Sequence, residues 1–218
     1  MDINNKVKSE HKVKSMIAVG GTAANFPHLG HKKLLQILIE SQLFEAVIWV
    51  VSGDRPDKTN LVEAHLRAQM SQALLQDMLK ANGVLKLDLD DTREGGKTFR
   101  TTMQLLDQYQ ARYPKHEIVM FTGLDLLIPK GGKCEIEATW QDGQEIMKRP
   151  IAAVARPGFE TDYPSDLPNN IFIIEGETDD ISSSDGRSRI RHGLPWEHLT
   201  APGVVAIIKK HNLYGYKA

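Results

Sequence analysis

A four-residue apolar run, Met16–Val19, stops at Gly20-Gly21-Thr22. After a short loop the chain resumes as an amphipathic stretch with Leu34, Leu35, Leu38 and Ile39 on one side. That order reads as a buried strand, a glycine turn and a helix. Glycines let backbone N–H groups approach an anion with no Cβ in the way. The start of the following helix adds unpaired N–H groups and the positive end of its dipole. His28 and His31, three residues apart, point the same way from its first turn. The stretch therefore predicts a phosphate site. The bland alternative is a strand–turn–helix with histidines on its surface.

The rest of the chain repeats the alternation. Further strands are predicted over 46–51 (AVIWVV), 84–89, 118–122, 151–155 and 171–174, each rich in apolar or β-branched residues. Between them the periodicity predicts a long helix capped at Thr59 or Asn60 and running to about Lys80, and a second from Thr98 to about Tyr113, ended by Pro114. The glycine-rich stretch after Asp125 has no clear period and reads as an excursion with a short helix near Glu145. Two more helices are expected, from Ser182 to His192 and from Ala201 or Pro202 to near Leu213. Strands alternating with helices predict a doubly wound α/β fold with a parallel sheet, as a single domain over 15–218 preceded by a polar arm at 1–14. In such folds ligands bind at the carboxyl ends of the strands, near the switch in strand order.

Bulk properties narrow the function. A net charge of -1 gives no argument for nucleic acid or an anionic membrane surface as partner. The longest apolar runs fall short of a membrane span, and the N-terminal KVKSEHKVKS has no apolar core of a secretory signal. One cysteine, Cys134, allows no internal disulfide and no four-thiolate zinc site, which fits a cytoplasmic setting. Gly95-Gly96-Lys97-Thr98 ends like a P-loop, but Asp91 stands where that motif needs glycine. No GxGxxG follows the first strand and no GxSxG occurs, which argues against a dinucleotide-dependent dehydrogenase and a serine hydrolase. His28 and His31 lack an obvious third metal ligand, so no protein-built metal site is expected.

A second constellation, Ile181 to Gly193, follows the last strand. Ser182, Ser183 and Ser184 precede a helical stretch carrying Arg187, Arg189 and Arg191. Hydroxyls, N–H groups at a helix start and a guanidinium suit phosphate oxygens. Alone it would read as a serine N-cap on a solvated basic helix. Beside the glycine–histidine loop it suggests a polyphosphate spanning both.

Taken together, these residues resemble the nucleotidyltransferase superfamily with HxGH and ISSTxxR signatures, here His28-Leu29-Gly30-His31 and Ile181-Ser182-Ser183-Ser184-Asp185-Gly186-Arg187. Among its families they look most like the bacterial nicotinate mononucleotide adenylyltransferases. The resemblance runs through Pro56-Asp57-Lys58, Arg67 and Met70, Arg93 with Thr101-Thr102, Gly123-Leu124-Asp125, Trp140, Arg156-Pro157-Gly158 and Leu213-Tyr214. It implies a Rossmann-like nucleotidyltransferase fold and adenylyl transfer from ATP to nicotinate mononucleotide, giving deamido-NAD and pyrophosphate, with Mg²⁺ accompanying ATP. His28, His31 and Arg187 would be catalytic. Gly20, Gly21, Thr22, Lys58, Gly123, Asp125 and Ser182, Ser183 and Ser184 would bind ATP. Thr102, Trp140 and Arg156 would bind the mononucleotide. The alternatives are a nicotinamide mononucleotide or phosphopantetheine acceptor, or a non-catalytic nucleotide-binding module of the same fold; a homo-oligomer stays open. Three departures stand out. The first loop, TAANFPH, is one residue longer than the family's usual TFDPxH and lacks its aspartate. Gly186 sits where Ile or Val is usual. The segment Pro129 to Thr139 looks inserted before Trp140.

Overall fold

The computed structural model describes residues 15–81, 83–129, 131–155 and 167–217. Six strands, β1 (Met16–Thr22), β2 (Phe44–Val51), β3 (Leu85–Asp88), β4 (Glu117–Gly123), β5 (Ile151–Ala155) and β6 (Ile171–Glu177), form one sheet. Their spatial order is β3-β2-β1-β4-β5-β6, and every neighbouring pair is parallel. The order turns back between β1 and β4. This is the switch point, where an open parallel sheet leaves a crevice beyond its carboxyl edge.

Helices cover both faces. They are α1 (Leu29–Glu40), α2 (Ala64–Ala81), α3 (Thr102–Arg112), the short α4 (Glu135–Thr139) and α5 (Gly143–Ile146), α6 (Ser183–His192) and α7 (Pro202–Lys210). The side-chain period of two along β1 divides the core. Met16 and Ala18 face a cluster with Leu35, Leu38, Leu74, Val204 and Ile208, from α1, α2 and α7. Ile17 and Val19 face the other way, onto Leu105, Leu106, Tyr109, Ile136 and Ile146, from α3, α4 and α5. No helix among the described residues is long and apolar enough to cross a membrane.

The predicted strands are all present, with β6 running on to Glu177. Two helices begin later than the sequence predicts. α2 opens at Ala64, because Asn60 takes a left-handed backbone (φ 70°) and its carbonyl accepts from Asn25 Nδ2 at 3.2 Å. α3 opens at Thr102, where Thr101 Oγ1 accepts from Gln104 N at 3.3 Å and Gln104 Oε1 accepts from Thr101 N at 2.9 Å, a reciprocal cap. The short helix expected near Glu145 is α5, and the inserted segment before Trp140 adds a second one, α4.

Candidate active site

A cavity of about 930 Å³ opens at the carboxyl edge of the sheet, over the switch point. Its floor is the ends of β1, β2 and β4, with Gly20, Gly21, Thr22, Trp49, Thr122 and Gly123 among its lining residues. One wall is the loop after β2, with Arg55 and Lys58. The other carries Thr102 at the start of α3 and Glu135, Thr139 and Trp140 around α4. Thus Gly20, Gly21, Thr22, His31, Lys58, Thr102, Gly123 and Trp140, named from sequence, share one cavity. Glycine at position 20 also answers a packing demand: a Cβ there would lie 2.5 Å from the ring of Phe121.

His28 is the N-cap of α1 and is buried. Its ring lies 3.8 Å from that of His31, centroid to centroid, and His31 in turn lies 5.6 Å from Trp49. The backbone N–H of His28 donates to His31 Nδ1 at 3.3 Å. A neutral imidazole whose Nδ1 accepts carries its proton on Nε2. His31 is therefore set up as an Nε2–H donor on the cavity wall.

The second constellation meets the first loop directly. Ser182 Oγ accepts from Asp185 N at 3.1 Å, so this serine caps α6. Ser183 Oγ donates to the Phe26 carbonyl at 2.9 Å. Arg187 donates through Nη1 to the Asn25 carbonyl and through Nη2 to Ser184 Oγ, the latter at 3.2 Å. Lys58, on the cavity wall, lies within electrostatic reach of Arg187. Burial pushes its ammonium below the usual lysine range; Arg55 and Arg187 add to that shift, while Asp57 and Glu135 oppose it. Ser182, Ser183, Ser184 and Arg187 thus stand behind the first loop rather than in the wall of the cavity. Asp125 occupies a single turn after β4, with Oδ1 folded back to within 2.4 Å of where a Gly123 Cβ would be. Arg156 lies outside the described residues.

Two devices that hold the loops were not assigned from sequence. Arg67 on α2 is fully buried and donates to the carbonyls of Val62 (2.7 Å), Ala23 (2.9 Å), Ser52 (2.6 Å) and Gly53 (3.0 Å). It ties the loop after β1 to the loop after β2. Asn25 is the other: its Oδ1 accepts from Val62 N at 3.2 Å and from the Tyr214 hydroxyl at 3.0 Å. The sequence signal for Asn25 was the missing aspartate of the first loop. Arg67 gave a signal only through its place in the helix motif. Nearby, a Cβ on Gly186 would lie 2.6 Å from Phe26 Cζ. Phe26 of the first loop fills the space that Gly186 leaves.

Comparison with known proteins agrees with this geometry. The cytidylyltransferase-like family model matches residues 18–189. A protein of Tropheryma whipplei, named a probable nicotinate-nucleotide adenylyltransferase, is 30% identical over 198 residues, 90% of this chain and 97% of its own length. One of the same name from Desulfitobacterium hafniense is 29% identical over 201 residues, 86% of this chain and 89% of its own. The nicotinic acid mononucleotide adenylyltransferase of Plasmodium falciparum, solved in complex with NaAD, superposes with a TM-score of 0.72 at 19% identity, covering 93% of this chain and 98% of that one. The fold, the cavity at the switch point and these matches make the chain a nucleotidyltransferase of the cytidylyltransferase-like family, on its nicotinate-nucleotide adenylyltransferase branch.

Proposed function

We propose that this enzyme transfers the adenylyl group of ATP to nicotinate mononucleotide. A phosphate oxygen of the mononucleotide attacks the α-phosphorus of ATP, the bond to the bridging oxygen breaks, and pyrophosphate leaves with that oxygen. The products are deamido-NAD and pyrophosphate. The observation that carries the reading is that one cavity of about 930 Å³ is lined by His31, Arg55 and Lys58 together with Thr102 and Trp140.

Such a reaction forms no covalent enzyme intermediate, so catalysis is alignment plus stabilisation of phosphate charge. His31 donates from Nε2 to phosphate oxygens, with His28 packed behind it. The glycine turn at Gly20, Gly21 and Thr22 lets the phosphates approach the backbone. Lys58 neutralises the departing pyrophosphate from the cavity wall, and Arg187, behind the first loop and within electrostatic reach of Lys58, adds its positive charge to that end of the site, with Ser183 and Ser184 fixing the start of α6. Gly123 and Asp125 flank the nucleoside of ATP. Trp140 offers a ring face to the pyridine, and Thr102 a hydroxyl at a helix start; Arg156 completes the mononucleotide set. Among the described residues no three His, Cys, Asp or Glu side chains converge on a point. Magnesium would come with ATP as Mg·ATP and would supply charge stabilisation to the leaving pyrophosphate.

The test is pyrophosphate release from Mg·ATP with nicotinate mononucleotide, nicotinamide mononucleotide or phosphopantetheine offered separately. Release is expected with the nicotinate form above the other two, and His31→Ala should cut turnover by roughly 10²–10³, the scale of one lost electrostatic donor. Preference for either other acceptor would replace the substrate. Silence with all three, alongside ATP binding, would leave a nucleotide-binding module.

A further inference from the structure

We propose that Tyr214, near the C-terminal end of the chain, is a positioning residue for Arg187 and acts through Asn25. The inference rests on the phosphate-binding role given to Arg187 above. Tyr214 sits in the single turn Leu213–Gly215 that follows α7. Its backbone is left-handed (φ 58°), as is that of Asn212 (φ 49°), an uncommon conformation for residues other than glycine. The turn aims the phenol inward, where its hydroxyl donates to Asn25 Oδ1 at 3.0 Å and its ring lies 5.7 Å from that of Phe26.

Asn25 gathers three other segments. Its Oδ1 also accepts from Val62 N at 3.2 Å, its Nδ2 donates to the Asn60 carbonyl at 3.2 Å, and its own carbonyl accepts from Arg187 Nη1. The next carbonyl, that of Phe26, accepts from Ser183 at 2.9 Å. Two consecutive carbonyls of the first loop thus hold the start of α6 and its guanidinium. The orientation of those peptide units is set by the side-chain amide of Asn25. Removing the Tyr214 hydroxyl takes away one of the two donors that fix this amide, and leaves the ring in place against Phe26. The expected result is a guanidinium held in more than one orientation, in a fold otherwise intact. A part-buried hydrogen bond of this kind acts mainly on groups that share its network, so its kinetic effect should vanish once Arg187 is gone.

The experiment is a double-mutant cycle of Tyr214→Phe and Arg187→Ala in the full chain. It is read on equilibrium affinity for Mg·ATP and, with acceptor present, on kcat and KM. Tyr214→Phe alone should weaken ATP affinity and lower kcat/KM for ATP about five- to tenfold, the scale of one lost hydrogen bond. The KM for the mononucleotide should change less than twofold. In the Arg187→Ala background, Tyr214→Phe should add less than a twofold effect. Equal effects in both backgrounds would overturn the proposal and make Tyr214 a packing residue, as would an unchanged ATP affinity in Tyr214→Phe alone. The readout on ATP affinity separates this inference from the proposed reaction. A wild-type chain that binds ATP yet releases no pyrophosphate would fail the reaction, while the cycle would still decide the role of Tyr214.

Discussion

Gly186→Ala should destabilise the protein, against the ordinary direction for such a change. Gly186 is a buried residue in the first turns of α6. In a helix interior, alanine is favoured over glycine by about 1 kcal/mol. Here the added Cβ would lie 2.6 Å from Phe26 Cζ, 2.8 Å from Cε1 and 3.6 Å from Leu199 Cδ1. The Phe26 ring has nowhere to swing. It is fully buried, with ring centroids 6.3 Å from Trp196 and 5.7 Å from Tyr214, and its carbonyl is held by Ser183. Overpacking a core site costs about 1–3 kcal/mol, so the net change is a loss of about 0–2 kcal/mol. That loss should lower Tm by up to about 8 °C, at 2–4 °C per kcal/mol for a domain of this size. Phe26→Leu alone leaves a void, but the two changes fit one another. In urea-unfolding measurements on the four proteins of the cycle, the double variant should be more stable than the sum of the singles predicts, by about 1 kcal/mol or more. Stabilisation of Gly186→Ala by the usual helix increment, or additivity in the cycle, would refute the reasoning.

Further expectations concern the scaffold and its charges. Arg67→Met should cost about 3–5 kcal/mol, the scale for breaking a buried ionic hydrogen-bond network, and should lower ATP affinity together with Tm; a variant with wild-type Tm would refute the pinning role. Asp88 accepts from the Tyr109 hydroxyl at 2.6 Å and from Arg100 Nη2 at 2.9 Å. Burial pushes its carboxyl up, but Tyr109, the Asp90 N–H and Arg100 more than offset this, so its pKa lies below the usual aspartate range. The stabilisation this gives is present above about pH 4 and is lost as pH falls below it. Asp88→Asn should therefore show a flatter acid limb in Tm against pH. Burial and the Asp88 hydrogen bond raise Tyr109 above its usual range. That stabilisation is present below about pH 10 and lost as pH rises beyond it, a loss that Tyr109→Phe should abolish.

The alternation of strands and helices was legible because each strand is nearly uniform in apolar residues while each loop breaks the period. Residues 46–51 and 151–155 could be placed on those grounds alone. The start of α2 was not legible, since the local capping signal at Thr59 and Asn60 yields to a bond from Asn25, remote in sequence. The same limit governed the site. His28, His31 and Lys58 announce themselves through neighbours in the chain. Asn25 draws its meaning from Tyr214 and Arg187, at the opposite end. The longer first loop and Gly186 read as two separate departures from the family pattern, and only their contact in space shows that each answers the other. Trp140 reaches the cavity wall because the inserted segment folds into α4, ending where Trp140 N donates to the Ile136 carbonyl at 3.2 Å.

Arg67 has a consequence for anyone who would move this site to another framework. The loops after β1 and β2 carry cavity-lining groups, yet their backbone shape is dictated from underneath by one side chain of α2. Transplanting residues 20–31 together with 52–58 would carry the carbonyls without the guanidinium that gathers them. A graft would have to include α2 as a third piece, docked at the same depth, before the two loops could recover their spacing.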